Sequence, residues 1–334
     1  MVGALSHHRH GGLCLLGYEY HLWHSTVSKI HTTESANDAQ LIKQRKPFSV
    51  LAMGTDVGAL GRGTSYAGNT DTMEVITVNP QQKRITMVAI PRDTLVKVTT
   101  KEGTKYVKIN AAYAIGGPQL VKKQVSELID VPIDVYALTN MGTLKTVVNA
   151  VGGVDVNNPF AFMYEKHHFK KGWQHLNGQN ALKYSRMRYD DPNNDYGRQR
   201  RGQQVLHSVI KSFKQRGSLQ AANEIITAAK DGVRTDLPFN HLSCLYLNYH
   251  SAMDQTSKDH LQGKDAQIDR TDFQIATASE INRISRKLRQ SLDLPVHHVV
   301  NNETRMNRDQ ATWNGYDQLD YRLPDNAQYN VWVR

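Results

Sequence analysis

Tyr184-Ser-Arg-Met-Arg-Tyr-Asp-Asp-Pro-Asn-Asn-Asp-Tyr-Gly-Arg-Gln-Arg-Arg-Gly-Gln-Gln204 gathers five arginines and three aspartates into one short run. Arg186 and Arg188 stand two apart after an apolar segment, so on a strand both guanidinium groups leave one face. Asp190-Asp-Pro-Asn-Asn reads as a turn, because proline fixes φ and Asn and Asp tolerate tight backbone geometry. From Gly197 onward, Arg198, Arg201, Val205 and Val209 have helical spacing, which puts Arg198 and Arg201 near a helix start. One reading of this run is a solvated face of arginines bridged to neighbouring aspartates. The other is a strand-turn-helix that aims its guanidinium forks at a single anion, with help from the helix dipole. The local order of elements favours the second.

Strands alternate with helices on both sides of this run. Phe48–Gly54 is a short apolar strand followed by a Gly-rich loop through Gly58, Gly61, Gly63 and Gly68. Thr72–Asn79 and Ile85–Ile90 are further strands, the latter stopped by Pro91. Residues 110–129 read as two helical stretches split by Gly116-Gly117-Pro118. Asp134–Leu138 is a strand, Met141–Val151 a helix and Val154-Asp-Val156 a strand. Helical patterns recur at 202–216, 219–231 and 237–251. The fold class is therefore α/β, a layered α/β/α domain with a central sheet over residues 47–252. Residues 253–334 read as a polar C-terminal extension, partly unstructured, with one basic helix at 278–290.

Residues 1–46 form a separate leader. The apolar stretch Gly11–Tyr18 is much shorter than the ~20 residues of a membrane span. A shortened anchor, an interfacial patch and an unstructured leader all fit it. The chain carries 41 Lys and Arg against 31 Asp and Glu, a net charge of +10. Such a balance favours polyanionic partners. No zinc-finger, helix-turn-helix or RNP pattern accompanies it, so nucleic acid is not expected. With only Cys14 and Cys244, the chain has neither a disulfide framework nor a cysteine metal site.

Two carboxylates flank the Gly-rich loop: Asp56 after the first strand and Asp71 before the second. Each could cap a turn. Brought together by adjacent strand ends, they suit Mg²⁺, with Mn²⁺ as a substitute, since hard cations take carboxylate and phosphate oxygens. Arg92 and Asp93 end the third strand at the same sheet edge. Two carboxylates, Arg92 and the arginines at 186, 188, 198 and 201 would together make a metal-and-guanidinium clamp for a pyrophosphate.

These segments resemble the LytR-CpsA-Psr family of bacterial cell-wall glycopolymer ligases. The resemblance runs through Gly54-Thr55-Asp56, Thr70-Asp71-Thr72, Ile90-Pro91-Arg92-Asp93-Thr94 and Lys108-Ile-Asn-Ala-Ala-Tyr-Ala-Ile-Gly-Gly-Pro118. It continues through Val151–Val156, Leu176-Asn-Gly178, Ala181-Leu182 and Arg186-x-Arg188 to Arg201. It implies a phosphotransferase at the outer face of the cell membrane that moves a glycan, such as teichoic acid or capsular polysaccharide, from a polyprenyl pyrophosphate carrier to peptidoglycan. It also implies that Asp56 and Asp71 hold Mg²⁺ and that Arg92, Arg186, Arg188 and Arg198 bind pyrophosphate, with Arg201 extending that face. An apolar pocket, lined from residues 111–129 and 141–151, would accommodate the lipid. Asp93 or Asp195 would accept the acceptor's proton. The chain departs from the family at Asn69, where an arginine is common, and at Gly202, where a glutamine is common and for which Gln203 or Gln204 could substitute. A carrier-binding regulator without turnover, and a pyrophosphatase on the same lipid, are the alternative functions.

Overall fold

Strand β1 (Phe48–Thr55) lies at the centre of a six-stranded mixed sheet in the computed structural model. The structure describes residues 44–55, 68–216, 232–237, 248–310, 319–324 and isolated residues between and beyond these; residues 1–43, Asp56 and most of the Gly-rich loop lie outside them. After β1 come β2 (Thr70–Asn79), β3 (Arg84–Ala89), β4 (Leu95–Thr100) and β5 (Gly103–Lys108), then helix α1 (Ala112–Ile129), β6 (Val135–Asn140) and α2 (Met141–Ala150). Four short strands follow, β7 (Val154–Asn158), β8 (Phe162–Tyr164), β9 (His167–Phe169) and β10 (Gly172–Leu176). Then come α3 (Gly178–Arg186), α4 (Asn194–Arg216), β11 (Val233–Thr235), β12 (Gln255–His260), β13 (Gly263–Ile268), β14 (Thr271–Ala276), α5 (Ala278–Ser291) and α6 (Asn302–Arg308).

The central sheet has the order β11-β6-β1-β2-β3-β12, with β1 parallel to β6, β3 parallel to β12, and β2 antiparallel to both of its neighbours. The carboxyl ends of β1, β3, β6 and β12 therefore share one edge with the amino end of β2. Alternation along the strands supplies two apolar faces. Leu51, Met53, Met73, Val75, Val88 and Ile90 pack with Val121, Val125 and Leu128 of α1 and with Ile281, Ile284 and Leu288 of α5. On the opposite face, Ile76, Ile85 and Met87 meet Leu206 and Ile210 of α4. The expected α/β/α layering is present.

Helix α1 breaks where the sequence indicated: Gly116 leaves helical geometry and Gly117 takes φ +68°, ahead of Pro118. Its apolar residues Val121, Val125, Leu128 and Ile129 are buried in the core cluster between α1 and the sheet. The expected domain boundary at residue 252, with a polar extension beyond it, is corrected here. β12 completes the sheet and α5 seals one face of it, with Thr277 capping α5 by accepting from Glu280 N. The segment reads as polar because its strands are short and α5 exposes a basic face, yet its apolar residues complete the core. The helices expected at 219–231 and 237–251 fall largely outside the described residues.

Candidate active site

The common sheet edge is shaped by a bulge. Gly54 pairs with Thr72 and Thr55 with Thr70, leaving Asp71 as the extra residue of β2. Such a residue turns its side chain out of the regular ladder. A Cβ on Gly54 would lie 2.4 Å from Thr72 Oγ1, so glycine suits the crossing.

Asp71 Oδ1 accepts from Arg92 Nη1 at 2.6 Å. Its backbone carbonyl accepts from Arg198 Nη2 at 2.9 Å, so three segments distant in sequence meet at one residue. Arg198 also donates from Nε to Asp195 Oδ1 at 2.8 Å, and Gln199 Nε2 donates to Asp195 Oδ2 at 2.9 Å. Asp93 stands 2.9 Å from Lys108 Nζ and 3.8 Å from Arg92 Nε. Asp71, Arg92, Asp93, Asp195 and Arg198 thus form one cluster, joined by Lys108 and Gln199, to which the sequence reading gave no role. Lys108 lies inside the recognised segment 108–118, but nothing in its spacing marks Asp93 as its partner.

Several buried polar atoms of these same segments have no hydrogen-bond partner: Thr55 Oγ1, Asn69 Oδ1, Thr70 Oγ1, Arg92 Nε and Gln199 Oε1. Buried polar groups are nearly always satisfied, so a group of orphans marks a place built for a polar guest. Asp71 Oδ2 accepts no hydrogen bond among the described residues. Among the described residues no group of three or more His, Cys, Asp or Glu side chains is placed to hold a metal ion.

Burial opposes the charge on Arg92, but Asp71, Asp93 and Asp195 outweigh it and hold its pKa above the ordinary value. Burial would likewise raise Asp195, yet Arg198, Gln199 and Arg92 leave it below the usual carboxylate range. Glu74, on the α4-facing side of β2, is pushed up to about 8 by burial, only partly countered by a hydrogen bond from Gln203.

The remaining arginines are placed differently from the expectation. Residues 184–186 belong to α3, not to a strand: Asn177 caps that helix by accepting from Asn180 N, and Ala181, Leu182 and Tyr184 bury its inner face. Arg186 ends the helix and donates to Glu165 Oε1 at 2.9 Å. Arg188 lies beyond the helix, its guanidinium 5.7 Å from the Tyr189 ring. The turn at 190–193 and the helix after it are present, with α4 beginning at Asn194.

Arg201 is the clearest correction. It is 2% exposed, bonded to the Tyr184 carbonyl at 3.0 Å, to the Met187 carbonyl and to Asp191, with the Phe162 ring 5.6 Å away. All of its donor nitrogens are spent on the chain itself, so it does not extend the clamp. A Cβ on Gly197 would overlap Asp191 Oδ2, which explains a glycine in the first turns of α4. Gln203 is also turned elsewhere, donating to Glu74 Oε1 and to the Asp259 carbonyl, both at 2.7 Å. Gln204 accepts from Asn157 N at 3.1 Å. At Gly202 a side chain would meet nothing within 4 Å. Asp56 lies outside the described residues.

Comparison with known proteins matches the sequence profile of the LytR_cpsA_psr family to residues 18–290. The chain belongs to the LytR_cpsA_psr family. A relative from Enterococcus faecalis, the polyisoprenyl-teichoic acid–peptidoglycan teichoic acid transferase TagU, is 38% identical over 263 residues, covering 78% of this chain and 86% of its own. Among solved structures, protein gbs0355 of Streptococcus agalactiae superposes with a TM-score of 0.73 at 32% identity, over 81% of this chain and 94% of that one. TagV of B. subtilis superposes with a TM-score of 0.64 at 31% identity, over 75% of this chain and 99% of that one. Both structures share the fold of this chain.

Proposed function

We propose that the chain is a phosphotransferase that moves a glycopolymer, teichoic acid or a capsular polysaccharide, from a polyprenyl pyrophosphate carrier to peptidoglycan. The observation that carries this reading is the meeting of Asp71, Arg92 and Arg198 beside unpartnered buried polar atoms. The transferase name of the E. faecalis relative, at 38% identity, supports it. The enzyme works at the outer face of the cell membrane, where both the lipid carrier and the wall are reached. Among the described residues no helix is long and apolar enough to cross a membrane.

Arg92 and Arg198 grip the pyrophosphate oxygens, and Arg186 and Arg188, at and just beyond the end of α3, are the further guanidiniums that the family resemblance assigns to it. Asp71, with Asp56, would hold Mg²⁺ or Mn²⁺. That ion, when bound, supplies positive charge to the phosphate oxygens. A peptidoglycan hydroxyl attacks the phosphorus that bears the glycan, and the bond from that phosphorus to the polyprenyl phosphate breaks. Positioning and charge provide most of the rate. Asp93 and Asp195 are the carboxylates near enough to Arg92 to take the hydroxyl proton. The pairing of Asp195 with Arg198 makes it the weaker base of its kind.

Incubation with polyprenyl pyrophosphate-linked glycan, Mg²⁺ and peptidoglycan tests the reading. Covalent transfer to peptidoglycan, lost with a chelator and restored by Mg²⁺ or Mn²⁺, is expected. Retention of the lipid without transfer, or phosphate release independent of peptidoglycan, would overturn it.

A further inference from the structure

Two small ribbons, β7–β10 and β8–β9, cover α3 and α4 on the side away from the central sheet. Val154, Val156 and Leu176 of the first and Phe162 and Phe169 of the second enter one buried cluster with Tyr184 and Val205. Since both ribbons turn their inner side chains into the same cluster, their outer side chains share one surface. Trp173 is 73% exposed there and Met163 58%. Single exposed apolar residues are ordinary, but here two large ones stand among Lys166, His168, Lys170 and Lys171, all exposed. The three lysines have no ion pair among the described residues. The two carboxylates of the ribbons are taken, Glu165 by Arg186 at 2.9 Å and Asp155 by His175 at 2.8 Å. The surface is left cationic, with an aromatic and a thioether side chain facing outward.

We propose that this outer face of the ribbons is where the protein lies on a lipid bilayer bearing anionic headgroups. The lysines meet the headgroups, and Trp173 and Met163 enter the interface between headgroup and chain. An anionic wall polymer in solution would satisfy the lysines but leave the two apolar side chains in water, so the bilayer fits better. The Glu165–Arg186 pair ties the β8–β9 hairpin to the end of α3. Docking would thereby hold the arginine stretch at the membrane surface, where a lipid-linked substrate resides; in that respect the inference rests on the transferase reading.

Co-sedimentation of the full chain with vesicles of phosphatidylcholine, with and without phosphatidylglycerol, tests it. Binding is expected on the anionic vesicles and weakens with added salt. Trp173→Ala should lower the partition coefficient about tenfold and K170E/K171E roughly a hundredfold. The leader is common to all variants, so the comparison isolates the ribbons. Transfer from a water-soluble short-chain prenyl pyrophosphate should be unchanged in both variants, since none of these side chains belongs to the clamp. Equal partitioning of wild type and variants would overturn the docking face, as would lysine-dependent binding of soluble poly(glycerol phosphate) without vesicle binding. Loss of short-chain transfer in the wild type with vesicle binding intact would instead overturn the transferase reading and leave the docking face standing.

Discussion

Arg198 and Arg201 sit less than one turn apart on the same helix, yet they do unlike work. Arg198 reaches the sheet edge, where it holds the Asp71 carbonyl and Asp195 beside unpartnered polar atoms. Arg201 points into the layer beneath, enclosed by Phe162 and Tyr184 and bonded to Asp191 and two carbonyls. An anion can be offered to the first, because polar groups there remain unsatisfied. Each nitrogen of the second is already bonded within the buried chain. A guanidinium in an arginine-rich run is thus defined by what already saturates it.

The contrast can be broken by substitution. Arg201→Met leaves the Asp191 carboxylate buried without its partner and should cost about 3–5 kcal/mol of stability in urea unfolding; adding Asp191→Leu should recover much of the loss. Arg92→Ala should leave the unfolding midpoint close to wild type while lowering transfer by about 3 kcal/mol of transition-state stabilisation, a hundredfold or more in kcat. If Arg92→Ala proved chiefly a folding defect and Arg201→Met chiefly a catalytic one, the division drawn here would be reversed.

Glu74 sharpens the same point on the acidic side. Its carboxyl has an ordinary value of 4.5 and is raised by burial to about 8 in the folded chain. Between those values the folded state keeps a proton that the unfolded state has lost, so stability falls as pH rises through that window. Glu74→Gln removes this dependence and should stabilise the protein by about 4 kcal/mol at pH 8, with the gain vanishing below pH 4.5. Thermal melts of the two proteins across the range check it. The smallest effect is expected at the partly exposed Glu165–Arg186 pair, where Glu165→Ala should cost about 0.5 kcal/mol, read from the same melts.

Much of this was legible in the chain. The strand-like runs at 72–79 and 85–90, the latter stopped by Pro91, marked the sheet, and Gly116-Gly117-Pro118 marked the break in α1. The signature segments brought Asp71, Arg92, Asp93, Asp195 and Arg198 together before any coordinates. Other features were misread because local spacing is ambiguous. Arg186 and Arg188, two apart, suggested a strand, although the Asn177 cap and the buried Ala181, Leu182 and Tyr184 make α3. A signal for the burial of Arg201 was present, since it continues the stripe of Val205 and Val209, which packs into the ribbon cluster. The short strands of the extension, each with little hydrophobic content, concealed that β12 joins the sheet.

By itself the sequence determined the family, the periodicities that make strands and helices, and the supply of charge around residues 56–93 and 184–204. Only the tertiary structure decided which charges meet and which are consumed. Helix α4 is gripped between two apolar surfaces, the sheet through Leu206 and Ile210 and the ribbon cluster through Val205 and Val209. Burying both sides sets the rotation of the helix, and that rotation sends Arg198 to the open edge and Arg201 into the interior.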